Sequence, residues 1–134
     1  MSRVAKVSKY PLHLGLGAAS TWQPEFTGGM DWYMAYGERN AADGLEGRLV
    51  SMHTFTESWT SWEMHPQGSE VVLCTGGRIR MTQENPDGTI EVAELGPGEA
   101  VVNAPGVWHT ADVLEAPATA VFITAGAGTE IRER

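Results

Sequence analysis

The stretch Trp62-Glu63-Met64-His65-Pro66-Gln67-Gly68-Ser69-Glu70 sets two carboxylates and an imidazole around one tight turn. Residues two apart on a strand share a face, so Glu63 and His65 point the same way. Pro66-Gln67-Gly68 then reverses the chain, and Glu70 opens a new strand that runs through Val71-Val72-Leu73-Cys74 to Gly76-Gly77. A second stretch, Gly98-Glu99-Ala100-Val101-Val102-Asn103-Ala104-Pro105-Gly106-Val107-Trp108-His109, places His109 just after another turn. All four polar groups therefore lie at strand ends beside turns, where several strands can converge. Two imidazoles and two carboxylates suit an octahedral divalent ion such as Mn, Fe, Co, Ni or Zn. An isolated Glu-x-His is common by chance, so spacing alone makes this a moderate signal.

Outward from these stretches the pattern is one of short strands. Arg48 to Phe55, Trp59 to His65, Glu70 to Cys74, Arg78 to Gln83, Thr89 to Leu95, Ala100 to Asn103, Trp108 to Val113 and Ala118 to Thr124 all read as β. Asn85-Pro86-Asp87-Gly88 is a specific hairpin signal, because Pro presets one turn angle and Gly supplies the positive φ. No capped start followed by a 3.6-residue period is found, so no helix is expected. Many short strands with frequent turns predict an antiparallel sandwich or barrel.

Residues 1–47 read as an arm of the same domain, with one or two short strands, and 48–134 as the barrel. The arm carries Trp22, Trp32, Tyr33 and Tyr36 amid Gly and has poor periodicity. It is expected to cover the barrel mouth or pack on a second copy, which predicts a homodimer.

The 134 residues suit one domain. The net charge of −8 and only nine Lys and Arg argue against nucleic acid and against an anionic membrane surface. Arg3, Lys6, Lys9, Arg132 and Arg134 look like solvated termini. One cysteine excludes an internal disulfide, and no apolar leader or membrane-length run is visible, which predicts a cytoplasmic protein.

The two quoted stretches resemble the two sequence motifs of the cupins, in order and at the spacing of a small single-domain member. The likeness spans roughly residues 48–125, and the first motif has the form W-E-x-H-P-x-G-x-E. The resemblance implies an all-β jelly-roll barrel with a metal at its mouth. His65 matches the second His of the first motif, Glu70 its Glu, and His109 the last ligand His. Three positions depart from the pattern. Glu63 stands where the first His is usual, the motif's Pro is displaced to Pro105, and Val113 stands where Asn is common. If Glu63 ligates, the set is two His and two carboxylates. If it does not, His65, Glu70 and His109 are the two-His, one-carboxylate set of non-haem Fe(II) oxygenases, and Glu63 is free as a general base.

Each residue also has a plainer reading. The four polar groups would line an organic-ligand pocket in a barrel that binds no metal. Trp62 and Trp108 should face away from the site and pack. Trp59 shares the parity of Glu63 and divides evenly between cavity wall and core. Cys74 reads as buried packing. His53 reads as structural or superficial, His13 has no assigned role, and Glu91, Glu94 and Glu99 read as a solvated edge.

The leading functional expectation is a metal-dependent enzyme of oxygenase type acting on a small organic molecule, with one divalent Fe, Mn, Zn or Ni ion. The alternatives are a sugar isomerase or lyase and a barrel that holds a small molecule without turning it over. A storage-protein role fits the short single barrel poorly.

Overall fold

Two long strands organise the molecule, and each serves two layers. The computed structural model describes residues 4–134, so Arg3 lies outside the described residues. The strands are β1 (Leu12–Leu14), β2 (Ser20–Trp22), β3 (Arg48–Phe55), β4 (Ser61–Met64), β5 (Glu70–Glu84), β6 (Ile90–Leu95), β7 (Ala100–Asn103), β8 (Trp108–Thr124) and β9 (Glu130–Glu133). One helix, α1, spans Met30–Arg39. All strand pairings are antiparallel.

The sequence reading ends a strand at Gly76-Gly77, but β5 runs straight through it. The pairing of β5 with β8 slips in register between Cys74 and Ile79. Before the slip Glu70, Val72 and Cys74 are buried; after it Ile79 and Met81 are. The inward face thus changes from even to odd positions, as an irregularity of this kind requires. In β8 the inward set changes likewise, from His109 and Ala111 to Ala118, Ala120 and Phe122.

Gly77 makes the bend possible. Its φ is +66°, and a Cβ there would lie 2.4 Å from the carbonyl oxygens of both Glu115 and Pro117. Only glycine combines that conformation with so close a backbone approach.

The slip yields two layers. In one, β2-β1-β3 continue into the second half of β8, the first half of β5, and β7. In the other, β9-β4 continue into the first half of β8, the second half of β5, and β6. Inward residues of both halves meet in one core of Val72, Cys74, Ile79, Met81, Leu95, Ala111, Ala118, Ala120 and Phe122. This is the expected all-β jelly roll, and Cys74 is buried in it as expected.

Two expectations are corrected at the ends. Residues 30–39 form a helix where none is expected. Gly29 caps it without a side-chain bond, and Trp32 is its one buried residue. α1 depends on contacts with the rest of the arm: Trp32 packs on Phe26 at 5.1 Å and its indole N–H donates to the Pro24 carbonyl at 3.3 Å. Arg132 and Arg134 are not solvated ends either. Arg132 belongs to β9, which pairs with β4, and Arg134 directly follows that strand. Arg132 lies over both Trp62 and Trp108, and its guanidinium meets Glu84 at 2.8 Å. Arg134 reaches Asp112 at 2.7 Å. Trp62 and Trp108 therefore do face away from the site, as parity predicts, and they bracket a cation there.

The arm folds back on its own barrel. β1 pairs with β3, and β2 pairs with β1, so the sheet is extended by two strands. His13, which the sequence leaves without a role, ties the arm together. Its Nε2 lies 2.6 Å from an Asp43 carboxylate oxygen and its Nδ1 2.6 Å from the Tyr36 hydroxyl. The carboxylate can only accept, so Nε2 carries the proton, and in the neutral ring Tyr36 donates to Nδ1. This chain of bonds fastens α1 and the turn after it to β1.

Candidate metal centre

The four polar groups named by the sequence come from both layers and meet at one end of the barrel. Glu63 on β4 pairs in register with His109 on β8. Their ligand atoms and that of His65 all lie within 4.8 Å of one another. Glu70, at the start of β5, reaches both imidazoles: Oε2 is 3.2 Å from His65 Nε2 and Oε1 is 3.1 Å from His109 Nε2. His65, Glu70 and His109 are all buried, and Glu63 is half-buried.

Hydrogen bonds around the site fix which ring nitrogens carry lone pairs. The Thr129 hydroxyl donates to the Gly126 carbonyl at 2.8 Å, so it can only accept from His65 Nδ1, also at 2.8 Å. The His109 Nδ1 donates to the Val107 carbonyl at 3.2 Å. In the neutral rings both Nε2 atoms then hold lone pairs. Those lone pairs face a carboxylate that accepts from Asn103 Nδ2 at 3.2 Å and from the Thr124 hydroxyl at 2.7 Å. Asn103 is itself held by Gln83 at 2.7 Å. Glu70 thus has no proton to offer, and neither Nε2 has a hydrogen-bond partner among the described residues.

Such a facing of acceptors is resolved by a cation, either a proton on the ring or a metal ion shared among the groups. The residues fit a metal well. Separations of 3.1 and 3.2 Å are close to those of neighbouring donors around one ion with bonds of about 2.1 Å. The second nitrogen of each ring is bound to a protein oxygen, the usual way a ligating imidazole is oriented.

The two carboxylates are driven apart in acidity. Burial alone would raise Glu70, but a proton on His109 or His65 facing it overrides burial and holds the carboxyl far below its ordinary range. Burial, then the charge of Glu70, pushes Glu63 up, against the opposing pull of the two histidines. Burial would lower His109, and the Glu70 carboxylate outweighs it and raises the imidazole. One carboxylate is thus a fixed anion, and its neighbour is inclined to carry a proton.

The site opens on a cavity of about 1060 Å³. Trp59 lines it and also packs on the core, so both of its readings hold. His53 lines the cavity rather than the surface, with its ring 5.2 Å from Phe26 and 5.6 Å from Phe122. Its parity with His65 is the signal that could have found it. Tyr33 on α1 is a lining residue that the sequence gives no reason to select. Burial, then the charges of Glu63 and Glu70, raises its hydroxyl, which places it near the two carboxylates. Glu94 is not a free edge residue, since it pairs with Arg80 at 3.0 Å and Arg78 at 3.6 Å.

No protein-family model matches the chain, and no curated protein matches it. Solved structures do. The oxalate decarboxylase of Bacillus subtilis, a protein with Mn(II) centres, aligns over 72% of this chain at 12% identity, with a TM-score of 0.55. The coconut allergen cocosin aligns over 65% at 17% identity and 0.51. Peruvianin-I, a cysteine peptidase from Thevetia peruviana latex, aligns over 65% at 21% identity and 0.50. The chain covers 26%, 22% and 54% of those proteins respectively. These likenesses show the fold, which is that of the cupins. No described helix is long and apolar enough to cross a membrane.

Proposed function

We propose that this chain is a metal-dependent enzyme of oxygenase type acting on a small organic molecule, with His65, Glu70 and His109 holding one divalent transition metal. Glu63 stands beside these three as a carboxylate that takes up and gives back a proton. The observation that carries this reading is the pair of buried Nε2 atoms, both without a hydrogen-bond partner among the described residues, facing the Glu70 carboxylate at 3.2 and 3.1 Å. The donor set of nitrogen and carboxylate oxygen suits Mn, Fe, Zn or Ni, and the Mn(II) centres of the oxalate decarboxylase support manganese among them. Bound here, such an ion supplies Lewis acidity and, for iron or manganese, redox chemistry.

The protein's own residues do the rest. Thr129 and the Val107 carbonyl aim the imidazoles, while Asn103 and Thr124 fix the Glu70 oxygens. Glu63, raised in pKa by burial and by the charge of Glu70, holds a proton more readily than an ordinary carboxylate and is suited to proton transfer.

Elemental analysis of protein purified without added metal should find about one of these ions per chain, and His109→Ala should lose most of it. Metal-free protein that also fails to take up Mn, Fe, Zn or Ni would end the proposal.

We further propose that two copies of the chain pair. The sheet ends at β2, a three-residue strand whose outer edge is open to a partner strand. Light scattering should give twice the 14.5 kDa chain mass; a monomer at micromolar concentration refutes the pairing.

A further inference from the structure

Above the four polar groups, the cavity wall is built of rings. Phe55 lies 5.7 Å from Trp59 and 6.1 Å from Phe122, and Trp59 lies 6.1 Å from Phe122. His53 continues the series to Phe26, under the arm. At the other end Trp59 comes within 6.3 Å of the His109 ring. The wall therefore runs unbroken from the arm to the site. Beyond Phe26 the lining continues onto α1, with Met30, Tyr33, Met34 and Gly37 on one face of the helix. Met30 and Met34 are largely exposed because they border an open space. Thioether and ring surfaces together suit a flat apolar guest.

The charges lining the cavity are as telling. Among the described residues no Lys or Arg lines it, whereas Glu57, Glu63 and Glu70 do. His53 adds no cation, since burial lowers its pKa. A small dicarboxylate or a sugar phosphate would find no basic side chain to pair with. The volume points the same way. Drug-sized ligands occupy pockets of roughly 300–1000 Å³, and a cavity of about 1060 Å³ is far too large for a two-carbon acid.

We propose that the cavity takes an uncharged molecule bearing an aromatic ring and a hydroxyl group, seated against Phe55, Trp59 and Phe122 with its oxygen turned to Glu63 and His65. The orientation of that oxygen rests on the metal-centre reading above; the seating of the ring rests on the wall alone. Tyr33 closes over the guest from α1.

Calorimetric titration of the whole protein with 2-naphthol, oxalate and glucose 6-phosphate tests this, with metal content measured on the same samples. 2-Naphthol should bind at least about ten-fold more tightly than either anion. Trp59→Leu and Phe55→Leu should each weaken it several-fold, while Trp59→Phe, which keeps a ring, should stay within about two-fold of the parent. Tighter binding of either anion, or no measurable binding of 2-naphthol, overturns the inference. So does loss on Trp59→Phe equal to that on Trp59→Leu, since the ring itself would then contribute nothing. Metal bound without 2-naphthol binding sinks the ring site and spares the metal centre. Ring-dependent binding to protein that holds no metal does the reverse.

Discussion

Glu63 and Glu70 share a site but differ in how they are held, and the difference assigns their roles. Both Glu70 oxygens are fixed by neighbours on β7 and β8 and touch both imidazoles. Glu63 has no side-chain hydrogen bond among the described residues, and it is less buried. Glu70→Gln removes the charge facing two nitrogen lone pairs, so it should abolish metal retention. Glu63→Gln should keep the ion, with an affinity loss no larger than the roughly 10–100-fold cost of losing an outer partner. Competition with a fluorescent chelator measures both. Equal loss in the two variants would make Glu63 a full ligand and remove its role as proton carrier. Protons compete with the metal in a predictable direction. His109 is raised by Glu70, so its Nε2 holds a proton more readily than a free imidazole, and metal affinity should fall as pH falls. The four residues were legible because strand parity and two turns place them. Their tautomers were not, because Thr129 and Val107 act through bonds that no spacing encodes.

At the scale of elements, legibility followed whether local pattern or distant contact decides the structure. The hairpin at Asn85–Gly88 closes as its residues dictate, with Asn85 bonded to Thr89 through the backbone at 2.9 Å. Gly76-Gly77 was misread because a glycine pair between apolar runs signals both a turn and a bend. What separates them is the packing of Gly77 against β8, far along the chain. α1 was missed for a related reason. Its apolar residues Met30, Tyr33 and Met34 line a cavity rather than a packed core, and its support comes from His13, Pro24 and Phe26. β9 was missed because its charges read as solvated. They are matched instead to Glu84 and Asp112 and to two tryptophan faces on the neighbouring strands. Bend and last strand are thus fixed by partners at least twenty residues away.

For the molecule as a whole, the centre joins the two layers. Glu63 and His109 belong to the β9-β4 layer, Glu70 to the β1-β3 layer, and Thr124 anchors Glu70 from the half of β8 that lies in the same layer as it. An ion held by His65, Glu70 and His109 would therefore bridge the halves of the sandwich, which the unfolded chain cannot do. Ligand that binds the folded state alone adds stability by mass action, about 2.7 kcal/mol when free metal is a hundred times its dissociation constant. A domain of this size gains roughly 4 °C in Tm per kcal/mol. Adding the preferred ion to chelator-treated protein should thus raise Tm by about 10 °C. The rise should continue with metal concentration and reverse with chelator. His109→Ala should lower Tm somewhat on its own and show almost no further response to metal. A response that survives in His109→Ala and Glu70→Gln would mean the ion binds elsewhere, for instance on the acidic surface. A metal taken up stoichiometrically with no change in Tm would mean that the site does not tie the layers together.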